Sequence, residues 1–157
     1  MLIFINGGLK AAGIYLVNKK GQILLQKRGS KTNSPNYWGC FGGKTDDGET
    51  FQQSAIREFK EESGFEGNLT DIRLLHVNKN RDGFTFVSYI AYLDEDIEVT
   101  MIGKETIDGV VEVDDARYFD FNDLLLKEYL HPGTRHTFKS KKQKIKDYIN
   151  EKCNKNF

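Results

Sequence analysis

The sequence predicts an α+β domain in which a mixed β-sheet lies between layers of helices. Three observations predict this fold class: β-rich runs precede and follow a central helix, both ends of that helix carry capping residues, and an amphipathic helical segment closes the chain. Since 157 residues suffice for one hydrophobic core, we expect residues 1–157 to form a single domain.

The first part of the chain carries clear strand signals. The apolar run 1–5 predicts a first strand, because it is too short for a signal peptide or a membrane span. The β-rich runs 11–17 and 22–28 flank a turn sequence, which predicts an antiparallel hairpin. The short aromatic and glycine-rich segment 37–43 indicates a place where the backbone passes close to another group.

The central helix is marked at both ends. Thr50 is a typical N-cap residue, Gln53 completes a capping box, and Gly64 supplies a left-handed stop. These markers predict a helix over residues 51–63.

The second half predicts strands over 69–77 and 84–93, joined by a turn that ends in Asp82-Gly83. Weaker strand signals lie at 109–113 and 117–119. Asn122 predicts the N-cap of a helix that extends to residue 130. Apolar residues at helical spacing then predict one last helix, and they are Phe138, Ile145, Tyr148 and Ile149.

Composition excludes several classes of protein. The 23 basic and 23 acidic side chains cancel, so no overall charge directs the chain to nucleic acid or to a membrane surface. Cys40 and Cys153 lie far apart and outside any paired motif, which favours a reducing compartment. We therefore expect a cytoplasmic protein that does not interact with membranes.

An acidic patch is predicted on the central helix. Glu58, Glu61 and Glu62 stand at i, i+3 and i+4, so their side chains share one helix face. Two unit charges about 5 Å apart repel by about 3 kcal/mol at an effective dielectric of about 20, so an enclosed patch needs a cation, and Mg²⁺ or Mn²⁺ suits carboxylate oxygens. The alternative is a solvated face that pairs with Arg57 and Lys60.

The wider pattern decides between these interpretations. Gly43, Glu49 and the run 57–65, which reads Arg-Glu-Phe-Lys-Glu-Glu-Ser-Gly-Phe, occupy every fixed position of a 23-residue box. This pattern resembles the complete Nudix box of the MutT/Nudix hydrolase family. The resemblance implies a Nudix-type α/β/α sandwich with a mixed central β-sheet. One departure is Phe41, which stands where the family commonly has proline and which we expect to reshape the wall beside the substrate.

The resemblance also implies roles for the box residues. Glu58, Glu61 and Glu62 would bind Mg²⁺, or Mn²⁺ in its place, together with the Gly43 carbonyl, and Glu58 would be the base that deprotonates water. Arg57 would turn back toward Glu49 and orient the loop, with Glu49 a further candidate ligand. Gly42 and Gly43 would contact the substrate.

Three positions outside the box are further candidates. Lys27 and Arg28, at the end of the second strand of the hairpin, match the place where the family often binds a substrate phosphate, although a solvated strand end is the alternative. Glu112 matches a further carboxylate of MutT-like members, and Asp114 and Asp115 compete with it for that role.

A basic last helix could touch RNA, although a solvated face is the simpler interpretation.

The resemblance implies a pyrophosphohydrolase whose partner is a small nucleotide. We expect a (d)NTP, including oxidised ones, to be cleaved to nucleoside monophosphate and pyrophosphate. The alternatives are nucleotide sugars, dinucleoside polyphosphates, RNA 5′ ends and a non-catalytic nucleotide- or RNA-binding regulator. ADP-ribose is less favoured, because the proline typical of that subclass is absent, the first proline after the box being Pro132. We expect a monomer or a homodimer.

Overall fold

The computed structural model describes residues 8–153. The strand predicted over residues 1–5 therefore lies outside the described residues. The described chain forms strands and helices in the following order: β1 Lys10–Val17, β2 Gln22–Arg28, β3 Trp38–Gly39, β4 Phe41–Lys44, α1 Phe51–Ser63, β5 Arg73–Lys79, β6 Thr85–Tyr92, β7 Val113–Asp120, α2 Phe121–Leu124, α3 Pro132–Ser140 and α4 Lys142–Cys153.

The strands form one seven-stranded mixed sheet. Its path runs β3-β2-β1-β6-β5, with β4 paired to β1 and β7 paired to β2. Strands β1 and β6 are parallel, and the other pairs are antiparallel. One edge of β1 is shared: Leu16 and Val17 pair with β2, whereas residues 11–14 pair with β4. Strands β1 and β2 therefore diverge after their hairpin, and the Gly42-Gly43 segment of β4 enters the gap.

Both faces of the sheet are covered, which confirms the α/β/α layering. Alternate residues of β1 point to opposite sides: Ile14 and Leu16 join the core under α1, while Tyr15 and Val17 join the core under α3 and α4. Strands buried on both faces need near-continuous apolar runs, and β1 and β2 supply them.

The central helix matches its prediction. Thr50 caps the N-terminus by accepting from the Gln53 N–H, the Gln53 side chain completes the capping box, and Gly64 ends the helix at a φ of 79°. Of the residues that α1 buries, Glu62 is the only charged one. Glu62 therefore lies at the buried edge of the acidic face predicted for this helix.

The C-terminal helices differ from prediction. The helix expected over 122–130 is the single turn α2, which ends at Leu124, and its N-cap is Asp120 rather than Asn122. The one predicted last helix is two, because the backbone leaves helical geometry at Lys141, where φ is −115° and ψ is 24°. Apolar periodicity continues across this break because both helices bury residues in the same core.

The weak signal at 117–119 lies within the strand β7, Val113–Asp120, whereas only Val113 of the signal at 109–113 belongs to that strand. Pairing with β2 along its length explains why a short signal extends into eight residues. Strand β5 begins at Arg73 rather than at residue 69. Among the helices of residues 8–153, none is both long and apolar enough to cross a membrane.

Candidate active site

The gap between β1 and β2 brings the glycine segment against the acidic helix. Gly42 and Gly43 pair with Gly13 and Ala12 of β1. A Cβ atom on Gly42 would lie 2.5 Å from the Ala12 carbonyl oxygen, and one on Gly43 would lie 2.5 Å from the Glu58 carboxylate. The absence of side chains at these two positions therefore lets backbone and carboxylate approach each other closely.

A cavity of about 620 Å³ opens beside this contact. That volume is within the range of small-molecule binding sites. Acidic, basic, aromatic and hydroxyl-bearing residues line it, and they include Glu58, Glu62, Glu112, Arg28, Phe84, Phe86, Tyr15 and Thr134. The cavity therefore combines a charged wall with apolar surface, as a nucleotide requires.

Glu62 lines this cavity, and two hydrogen bonds fix its side chain. It is 9% exposed, and its Oε1 accepts from the Gly42 N–H at 2.8 Å and from Gln26 Nε2 at 3.1 Å. Burial, followed by repulsion from Glu58, raises the pKa of Glu62 well above its usual range. Because its N–H donates to Glu62, Gly42 shapes the site through this bond as well as by lining the cavity.

Glu58 lies above Glu62 on the same helix face. Its side chain is 16% exposed, and its Oε1 accepts from Arg57 Nη1 at 2.9 Å. Burial raises the pKa of Glu58, opposed by Arg57, while Glu61 and Glu112 raise it further through repulsion. A carboxylate with a raised pKa is better matched to proton transfer near neutral pH than an ordinary one.

Arg57 fastens the loop before the helix. Its Nε donates to Glu49 Oε2 at 2.8 Å and its Nη2 donates to Glu49 Oε1 at 3.0 Å, a bidentate pair. Nη2 also donates to the Lys44 carbonyl at 3.0 Å. The hydrogen bonds that Arg57 donates to Glu49 lower the pKa of Glu49. The contact predicted between Arg57 and Glu49 is present, and it ties the loop to α1.

Of the remaining acidic candidates, only Glu112 lines the cavity. Glu61 is 58% exposed and contacts Arg57 at 3.3 Å, outside the cavity wall. Glu112, just before β7, lines the cavity and is close enough to raise the pKa of both Glu58 and Glu62. Asp115 pairs with Arg117 at 2.9 Å, and neither it nor Asp114 lines the cavity. The structure thus favours Glu112 over its two competitors.

Lys27 and Arg28, the two basic residues at the end of β2, point to opposite faces of the sheet. Side chains alternate along a strand, so Arg28 shares the cavity side of β2 with Gln26, whereas Lys27 lies on the other side. Arg28 Nε donates to the Asn33 carbonyl. The structure therefore brings Arg28 to the site and does not bring Lys27 there.

Gln26 is a site residue that was not predicted from the sequence. It is 1% exposed, lines the cavity and bonds to Glu62. One signal was available: Gln26 is a polar residue that follows the buried run Ile23, Leu24 and Leu25 of β2. A buried polar side chain in such a run needs a partner.

The oxygen-rich wall suits a hard divalent cation. In residues 8–153, no three His, Cys, Asp or Glu side chains are gathered into a ready-made metal cage, because Glu58 and Glu61 point their oxygens at Arg57. Even so, Glu58, Glu62 and Glu112 repel one another across the cavity. Carboxylate oxygens with unbalanced negative charge are the donor set that Mg²⁺ or Mn²⁺ would neutralise.

Known proteins resemble this chain in sequence. A family model described as "NUDIX domain" matches residues 9–140. An uncharacterized Nudix hydrolase of Listeria innocua is 34% identical over 110 residues, which is 67% of this chain and 59% of the relative. The ADP-ribose pyrophosphatase of Methanocaldococcus jannaschii is 31% identical over 112 residues, 69% of this chain and 60% of that protein.

A shorter match is the RNA pyrophosphohydrolase of Wolbachia sp. subsp. Brugia malayi, 44% identical over 52 residues, which is 33% of this chain and 30% of the relative. The chain therefore spans about three fifths of the length of the curated relatives that it matches over most of its own length. Among solved structures, the MutT protein from Methanosarcina mazei Go1 aligns with a TM-score of 0.64 at 20% identity, covering 87% of this chain and 94% of that one. That likeness shows the same fold.

Proposed function

This chain belongs to the NUDIX domain family, as the match over residues 9–140 shows, and on that premise we propose that it is a metal-dependent pyrophosphohydrolase. Its substrate would be a nucleoside diphosphate linked to another moiety. The observation that carries the proposal is the meeting of Glu58, Glu62 and Glu112 with the Gly43 backbone at one cavity.

We assign the cation ligands to the acidic helix and its neighbours. Glu58 and Glu62 would bind Mg²⁺, or Mn²⁺ in its place, with the Gly43 carbonyl and Glu112 as further ligands and Glu61 at the outer rim. When bound, the cation neutralises the diphosphate and lowers the pKa of a bound water.

The protein groups would divide the remaining work. Glu58 is the proposed base, because its carboxylate lines the cavity beside the Gly43 backbone and its Oε2 lies outside the hydrogen bond with Arg57. Arg28 would neutralise a substrate phosphate from the cavity wall. Arg57 and Glu49 would hold the loop in register with the helix and so orient the Gly43 carbonyl.

For the substrate, we propose a (d)NTP, which would be cleaved to nucleoside monophosphate and pyrophosphate, in the cytoplasm. Among the described residues Cys40 and Cys153 form no disulfide, which agrees with a reducing compartment. A second candidate is the 5′ end of RNA. It is supported by the lysines on the exposed surface of α3 and α4, among them Lys139, Lys142 and Lys144, and by the resemblance to an RNA pyrophosphohydrolase.

A substrate screen tests the proposal. The protein would be incubated with Mg²⁺ or Mn²⁺ and with nucleoside triphosphates, ADP-ribose, nucleotide sugars, dinucleoside polyphosphates or 5′-triphosphate RNA. The products would be separated and measured as nucleotides, sugar phosphates, phosphate and pyrophosphate. We expect metal-dependent release of pyrophosphate from at least one (d)NTP. Release from RNA alone would replace the (d)NTP assignment by the second candidate.

Binding of nucleotides without turnover of any substrate would contradict the enzymatic assignment. That outcome would favour the alternative of a non-catalytic regulator. A chelator control establishes metal dependence, and the Glu58→Gln protein purified in the same way separates this activity from that of a contaminating phosphatase.

The raised pKa values of Glu58 and Glu62 predict a pH-dependent response to metal. A carboxyl group whose pKa is raised by folding contributes stability below its unfolded pKa, and this contribution is lost as pH rises through the folded value. The metal-free protein should therefore lose part of its stability on going from about pH 5 to about pH 8. Since a cation binds the carboxylate form, the increase in melting temperature caused by Mg²⁺ should be larger at the higher pH.

Thermal unfolding with Mg²⁺ and with a chelator at both pH values measures this difference. An Mg²⁺-induced increase in melting temperature of the same size at both pH values would show that these carboxyl groups do not bind the cation.

A further inference from the structure

Gln26 occupies the point where β1 and β2 diverge. Leu24 is the last residue of β2 that pairs with β1, and Gln26 pairs instead with Gly39 of β3 and Ala116 of β7. Its side chain therefore enters the gap between the strands, beneath the acidic helix. It is 1% exposed.

The orientation of the Gln26 amide is determined by its neighbours. Nε2 donates to the Cys40 carbonyl at 3.2 Å and to Glu62 Oε1 at 3.1 Å. Both neighbours are acceptors, so a flipped amide would place its own oxygen against two other oxygens. Nε2 must therefore face Glu62.

This contact determines which oxygen of Glu62 remains available. Gln26 Nε2 and the Gly42 N–H both donate to Oε1. Within the described part of the chain, these are the hydrogen bonds that Glu62 accepts. Two donors from different elements fix the rotation of the carboxylate and leave Oε2 for a cation.

The other end of the amide has no partner among the described residues. Gln26 Oε1 is buried and accepts no hydrogen bond there. A buried unsatisfied oxygen costs stability, and an apolar side chain of similar length would avoid that cost. The amide is therefore used for its two donor contacts, to Glu62 and to the Cys40 carbonyl, and not for its oxygen.

We infer that Gln26 is a positioning residue, which holds Glu62 Oε1 so that Oε2 remains available to bind a divalent cation in the cavity. This inference rests on the proposed function. It concerns metal binding, which is measured separately from turnover. Partners that orient metal ligands in this way change metal affinity by about 10- to 100-fold when removed.

The test is Gln26→Met, which keeps the length of the side chain and removes both polar ends. Titration of the metal-free protein with Mn²⁺ in a calorimeter should show affinity reduced at least tenfold. The melting temperature without metal should change little, because removal of the unsatisfied oxygen offsets part of the loss of the two Nε2 hydrogen bonds. Gln22→Met is the matched control: Gln22 lies on the same strand and bonds to Asn18, so Mn²⁺ affinity should not change.

The outcomes separate this inference from the proposed function. Equal Mn²⁺ affinity for Gln26→Met and the unchanged protein would overturn the inference alone. A Gln26→Met protein that is unfolded or markedly less stable would show a structural role and would also overturn it. If the unchanged protein binds no Mn²⁺, the metal site and this inference both fail, whereas Mn²⁺ binding without turnover of any nucleotide contradicts only the proposed function.

Discussion

Replacing Glu58 by glutamine is expected to lower kcat by about 10³-fold or more, because the amide cannot accept a proton and removes one negative charge from the cation site. Glu58 is the box carboxylate that combines a cavity position with partial exposure and a raised pKa. Steady-state hydrolysis of the substrate found in the screen, with saturating Mg²⁺, measures the effect.

Stability should respond differently from activity. Because burial disfavours the charged form of Glu58, a neutral glutamine should leave the melting temperature of the metal-free protein unchanged or raise it. The matched control is Glu66→Gln, since Glu66 is an exposed glutamate beyond the end of α1, and its kcat should not change. A Glu58→Gln enzyme that retains more than a tenth of the activity would contradict the assignment of the base.

The substitution Gly43→Ala should reduce kcat/KM by about 100-fold, although it adds only one methyl group. The new Cβ would lie 2.5 Å from Glu58 Oε2 and 2.8 Å from Oε1, so the carboxylate must move away from its present position. The flexible end of a side chain can rotate at small cost, and the protein should therefore remain folded. Hydrolysis kinetics and thermal unfolding together test both expectations.

Gly103→Ala is a control with the opposite expected effect, a loss of stability without a loss of activity. Gly103 has a φ of 73°, and a Cβ there would meet nothing within 4 Å. Backbone strain should lower the free energy of unfolding by about 1 kcal/mol, while hydrolysis should not change. If Gly43→Ala instead lost stability and activity in parallel, as a merely unstable protein would, the steric argument for the Glu58 contact would be wrong.

The position of the Phe41 side chain could not be predicted from the sequence. Phe41 was expected to reshape the wall beside the substrate, yet its side chain is fully buried and packs edge-on against Phe59 at 5.4 Å. The alternation of β4 turns it toward the core under α1. Its effect is therefore on the packing between helix and sheet.

The elements predicted well were those whose causes are local. Thr50, Gln53 and Gly64 define α1 through hydrogen bonds within a few residues, and the turn between β1 and β2 likewise lies in one short segment. The early end of α2 and the break between α3 and α4 were not predicted, because packing against one shared core, rather than local capping, decides where those helices end.

The sequence by itself determined the family resemblance, the mixed sheet between helices and the spacing of Glu58, Glu61 and Glu62, since periodicity and box spacing are written along the chain. Only the tertiary structure decided which side chains enter the cavity. Gln26 bonds to Glu62, which lies 36 positions away in the sequence. Arg28 faces the cavity and Lys27 does not, because side chains alternate along β2. Burial and hydrogen-bond partners depend on distant segments meeting, and no local pattern encodes that meeting.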